Sequence, residues 1–153
     1  MANTYHQMYI QTVFAIKFRH ATIAMSWRSK LMGVVGNLIN ETGCKTIIVN
    51  GTHDHIHCFF GLKPDLAVSV VMQGVKAKSS KWINENHHVN HRFEWQKGFG
   101  SFSYSRSHID KVYQYILNQE KHHEKKSFRK EYMQMLDKFH IQYDERYIFK
   151  DLI

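Results

Sequence analysis

The stretch Thr52-His53-Asp54-His55-Ile56-His57-Cys58-Phe59-Phe60 concentrates the residue types that could do chemistry. Alternate residues of a β-strand share a face. His55 and His57 are therefore expected to point the same way, while Ile56 turns to the core. Two imidazoles on one face form a natural pair of metal ligands, with His53 a third if the strand already runs there. A second group is Tyr115 and Gln119, neighbours four apart on a helix, with His122 and His123 one turn beyond. A tyrosine hydroxyl can attack phosphorus and keep the bond energy in a phosphotyrosine. A divalent cation beside it would polarise a phosphodiester. Because the phosphotyrosine keeps the bond energy, this chemistry is expected to need no nucleotide cofactor, consistent with the lack of a GxGxxG or Walker-type phosphate loop in the sequence.

The elements that must carry these groups can be read from periodicity. Met8 to Phe18 is rich in β-branched and aromatic residues and reads as a buried strand, followed by a turn at Arg19-His20-Ala21-Thr22. Ser26 is expected to cap a helix with Trp27, Leu31, Val34, Val35, Leu38 and Ile39 at helical spacing, stopped by Gly43. Two strand-like runs, 45–49 and 56–62, flank an Asn50-Gly51 hairpin signal that can extend to Asp54. Asp65 is a candidate cap for a helix ending near Asn86, which carries Lys76, Lys78 and Lys81. Residues 86–92 read as a loop, and 93–104 as one or two further strands. Helices follow over about 108–123 and 128–139. The order βαββαβ, then helices, is an α+β pattern around an antiparallel sheet, compatible with a ferredoxin-like core. One domain over residues 1–125 is expected, with 126–153 as its helical extension.

Composition narrows the partner. In 153 residues, 21 Lys and Arg against 13 Asp and Glu leave a formal charge of +8, which favours a polyanion such as nucleic acid. With 43% hydrophobic and 14% aromatic residues, a packed core is expected rather than disorder. No apolar run approaches membrane-span length, and the N-terminal segment lacks a signal-peptide pattern, so a cytoplasmic protein is expected. Two Cys exclude a disulfide framework or a thiolate zinc site.

Asp54-His55-Ile56-His57, the helix segment Gln114–Gln119 and the stretch Trp95–Ser103 between them stand in the order and spacing of a known family. The chain resembles the single-tyrosine HUH transposases of small bacterial insertion sequences and their relatives associated with repetitive palindromes, from the first strand to about His123. The resemblance implies metal ligation by His55 and His57, completed by Gln119, with Mg²⁺ or Mn²⁺ as cofactor. It implies Tyr115 as the nucleophile that becomes linked to a 5′ phosphate. The expected substrate is single-stranded DNA carrying a hairpin, and the expected assembly a homodimer with active sites that can be shared. His122-His123 is a competing third ligand. Lys76, Lys78, Lys81 and Arg106 are candidate DNA contacts. The basic group near the last two helices, Lys121, Lys125, Lys126, Arg129 and Lys130, is partly neutralised by Glu120, Glu124 and Glu131, and the tail is expected to support a dimer or face solvent.

Two rival readings remain at this stage. His53-x-His55-x-His57 looks like the motif of the histidine-triad nucleotide hydrolases, although Asp54 stands where that motif wants an apolar residue. The other rival is a domesticated nucleic-acid-binding module without turnover.

Overall fold

The computed structural model describes residues 4–18 and 21–150, so Arg19 and His20 of the expected turn lie outside the described residues. The chain runs β1 (Tyr9–Ala15), α1 (Met25–Glu41), β2 (Lys45–Gly51), β3 (His55–Gly61), α2 (Val68–Glu85) and β4 (Gly100–Tyr104). Three helices follow: α3 (Ile109–Leu117), α4 (Gln119–His123) and α5 (Phe128–Lys138). The strands form one antiparallel sheet in the order β2-β3-β1-β4. This is the α+β, ferredoxin-like arrangement, with the C-terminal helices added.

The sheet is covered on both faces. Helix α1 buries Trp27, Leu31, Val35 and Ile39, each one turn after the last, and α2 buries Val71, Met72 and Val75. These pack with Ile56, Cys58 and Phe60 of β3. The alternate residues His55, His57 and Phe59 face the other way, where Phe59 packs with Val112 and Ile116 of α3. Helix α5 covers the β1–β4 half of that second face: a Cβ at Gly100 would lie 2.5 Å from the Tyr132 ring. Six of the seven β3 residues are consequently buried. The histidine-bearing strand β3 lies between α3–α4 and α5.

Several local expectations are corrected. Ser26 and Asp65 cap nothing: α1 and α2 start after Ala24 and Ala67, without a side-chain cap. The Gly43 stop holds, with φ of +94°, a conformation that favours glycine. The helix expected over 108–123 is broken at Asn118 into α3 and α4. Asn50 of β2 explains the break, since its amide donates to the carbonyls of Ile116 (3.0 Å) and Leu117 (3.1 Å). Those carbonyls end α3 satisfied by a side chain instead of by the next helical turn.

Lys76 is committed to the fold. Its ammonium donates to the carbonyls of Gln96 and Gly98, both at 2.7 Å, and burial pulls its pKa down to about 8. Lys76→Met is expected to cost about 1–3 kcal/mol by leaving these acceptors unpaired, lowering Tm by several degrees. Thermal melts check this, and an unchanged Tm with reduced DNA affinity would contradict it.

Candidate active site

The site is built on β3. His55 and His57 are fully buried on one face, ring centroids 5.1 Å apart, as the strand alternation required. His53 is not with them: it lies in the loop before β3, its side chain 59% exposed. A histidine triad is therefore not assembled, and the nucleotide-hydrolase reading loses its basis.

Each imidazole is oriented from behind. His55 Nδ1 lies 2.8 Å from Asp54 Oδ1 and 3.1 Å from Thr52 Oγ1. Burial opposes a charged Asp54, but the hydrogen bond and charge of His55 outweigh it and hold the carboxyl below its ordinary range. His55 Nδ1–H donates to this carboxylate, and Nε2 is thereby aimed inward. His57 Nδ1 accepts from the Gln11 amide at 2.9 Å, and the Tyr104 hydroxyl donates to Gln11 Oε1 at 2.8 Å. His57 Nε2–H then donates to Glu131 Oε1 at 3.2 Å. Burial favours this neutral imidazole, lowering the His57 pKa despite the nearby Glu131 charge.

Glu131, from α5, occupies the centre. Only 3% exposed, its Oε1 faces His57, His123 (3.0 Å) and His55 (3.6 Å). Its Oε2 accepts from the Tyr115 hydroxyl and from the Gln119 amide at 3.2 Å. Burial alone would raise this carboxyl, but hydrogen bonds from His123 and His57 hold it well below the usual carboxylate range. The Tyr115 phenol is pushed up, first by burial and then by the Glu131 charge.

Gln119 is fully buried, with Oε1 2.8 Å from His55 Nε2. The candidate third ligands are thereby separated. Gln119 reaches His55, His123 reaches Glu131, and His122 stacks on the Tyr115 ring at 4.9 Å. His55 Nε2, the Gln119 side-chain oxygen and a Glu131 carboxylate oxygen thus converge. Such a donor set attracts a cation. His55, His57 and Glu131 form a buried cluster of metal-ligating type. Cis donors on an octahedral ion with bonds of about 2.1 Å lie roughly 3 Å apart. The separations of 2.8, 3.2 and 3.6 Å fit that spacing.

Glu131 escaped the reading of the sequence, which counted it only as charge balance in a tail that faced solvent or a second subunit. The tail helix instead packs in the main core through Phe128, Tyr132, Met135 and Leu136. A signal was present: Glu131 interrupts this stripe at helical spacing, a carboxylate on an apolar face. The basic candidates are not gathered here. Lys76, Lys78 and Lys81 lie on α2, across the sheet from the histidines, and Lys81 pairs with Glu85 at 3.7 Å. Arg106 is exposed in the short 3₁₀ turn before α3.

Among the described residues, no helix is long and apolar enough to cross a membrane. No protein of curated function matches the chain. Several solved structures share the fold, among them the following two. One, described as a candidate transposase from Deinococcus radiodurans R1, has a TM-score of 0.60 at 16% identity, covering 78% of this chain and 95% of that one. The other, a REP-associated tyrosine transposase bound to a REP hairpin, has a TM-score of 0.59 at 13% identity, covering 80% and 73%. The profile of the family described as "Transposase IS200 like" matches residues 4–119, from before β1 through the histidine strand to Gln119, and this protein belongs to that family.

Proposed function

We propose that this transposase cleaves and rejoins single-stranded DNA near hairpin ends, with Tyr115 as nucleophile. The observation that carries the reading is Glu131: one buried carboxylate touches the Tyr115 hydroxyl and both histidines within a single chain. In this reading the Tyr115 oxygen bonds to phosphorus as the bond to the 3′ oxygen breaks, and the phenolic proton, relayed by Glu131 Oε2, goes to that leaving oxygen, which departs as a 3′ hydroxyl. The product is a 5′-phosphotyrosine that a later 3′ hydroxyl attacks to rejoin the strand. A divalent cation, Mg²⁺ or Mn²⁺, held by His55, His57, Gln119 and Glu131 would supply positive charge beside the scissile phosphate. His57 could serve through Nε2 only as the tautomer protonated at Nδ1, for which the Gln11 side-chain oxygen would be the acceptor. Hairpin recognition is supported by the resemblance and by the hairpin on the REP-associated neighbour. A homodimer, also implied by the resemblance, would not be needed to bring Tyr115 to the histidines.

Incubating the protein with single-stranded DNA carrying a hairpin, plus Mn²⁺, is expected to yield a denaturant-resistant adduct. Tyr115→Phe should abolish it, and His55→Ala should reduce it by orders of magnitude. Equal adduct from wild type and Tyr115→Phe would overturn the nucleophile assignment. If wild type binds the DNA and never forms adduct, a binding module without turnover is the better reading.

A further inference from the structure

Beside Tyr115 lies a cavity of about 340 Å³ that the chemistry above does not use. It opens between α3, α5 and the β1–β4 side of the sheet. Tyr115 and Glu131 form part of its wall, so it is continuous with the reacting centre. Its volume falls within the roughly 300–1,000 Å³ of small-molecule sites.

We infer that this cavity is a subsite for one nucleotide of the DNA strand, the nucleotide bonded to the phosphate that Tyr115 attacks. The inference rests on the nuclease reading above. The walls divide by chemistry. Val112, Met135, Phe139 and Tyr104 offer apolar and aromatic surface against which a base can pack. Gln134 brings an exposed amide, the kind of group that pairs with base edges, whereas the Gln11 amide is taken by His57 and Tyr104. Lys111, Lys126 and Lys138 contribute cations, with His108 beside them. The sole carboxylate on the wall, Glu131, is already saturated by Tyr115, Gln119, His57 and His123. Among the described residues neither Lys111 nor Lys138 has an ion-pair partner, so their charge is free for phosphate. The larger groove between α1, β2 and α4 is different: Glu120 and Glu124 offset its cations, and Arg28 is paired with Glu120 at 2.7 Å. Apolar walls, free cations and contact with the nucleophile together specify a nucleotide rather than a peptide or a lipid.

Protein labelled with ¹³C-methyl methionine would be titrated with thymidine 5′-monophosphate and with a ten-residue oligothymidylate, at low salt and without metal. The Met135 methyl is expected to shift with both probes, while Met25, exposed at the start of α1, stays in place. Gln134→Trp, an exposed change on α5 that fills the cavity, should abolish the Met135 shift and leave Mn²⁺ affinity unchanged. Lys111→Ala with Lys138→Ala should weaken oligothymidylate binding. It should also lower the salt slope of log K by about 1.4, or about 0.7 for each lost phosphate contact. A Met135 methyl that does not move at saturating oligothymidylate overturns the subsite, as does an unchanged salt slope in the double variant. These outcomes are independent of the Tyr115→Phe adduct assay, so failure of the subsite and failure of the nucleophile assignment are distinguishable.

Discussion

Glu131→Ala is expected to destabilise the protein by about 3–5 kcal/mol, the usual cost of removing one partner from a buried charged network. The carboxylate takes hydrogen bonds from Tyr115, Gln119, His57 and His123, and its loss strands those donors in a dry site. A fall in Tm of roughly 10 °C should follow. Glu131→Gln keeps the shape and one accepting oxygen, so its cost should be smaller. The charge that helps raise the Tyr115 phenol is gone in that variant, while burial remains. The Tyr115 pKa should therefore fall without reaching the ordinary tyrosine value, as phenolate absorbance during a pH titration can show.

The sign of the pH dependence follows from Glu131 itself. Its carboxyl is held low in the folded chain, against about 4.3 for an unfolded glutamate. Its contribution to stability is complete above the unfolded value and is lost as pH falls below it. The stability gap between wild type and Glu131→Gln should accordingly narrow upon acidification below about pH 4. Chemical denaturation at a series of pH values measures this, and a gap that widens in acid would contradict the assignment. Both variants should also bind Mn²⁺ more weakly, by about tenfold or more.

The second large effect concerns the backbone that aims His55. A Cβ at Gly51 would lie 2.0 Å from the His55 carbonyl oxygen and 2.9 Å from the Ile56 Cα. Both obstacles are main chain, so no rotamer change can relieve the clash. Gly51→Ala should cost about 3 kcal/mol or more by forcing the β2–β3 connection apart. His55 would turn away from Gln119 with it, and Mn²⁺ affinity should fall in the same variant. Gly33→Ala and Gly74→Ala supply the controls. Both glycines are helical with open space around the missing Cβ, and alanine there should stabilise by about 0.5–1 kcal/mol. If Gly51→Ala melts with the wild type, the connection is looser than its geometry implies.

Much of the fold was legible because it rests on local periodicity. The stripe Trp27, Leu31, Val35, Ile39 declares α1, and the alternation through His55, Ile56, His57 and Cys58 assigns each side chain its face. Helix starts were misread because Ser26 and Asp65, good caps by type, sit one position inside α1 and two before the Ala67 cap of α2, where neither side chain meets the free N–H groups. The division at Asn118 was hidden because its cause, Asn50, lies on β2, far away in the sequence.

The same contrast separates the parts of the site. By itself the sequence determined the paired faces of His55 and His57 and the proximity of Tyr115 to Gln119, since strand and helix geometry act over four residues or fewer. Only the tertiary structure decided which charges serve the site, because burial and pairing depend on what folds against what. It turned Lys76 into a strut for the loop before β4 and put Lys78 and Lys81 across the sheet. It also carried Glu131 from a tail 74 residues beyond His57 into the centre of the histidines. A buried carboxylate is tolerable only where several donors meet it, and that meeting depends on α5 closing over the sheet.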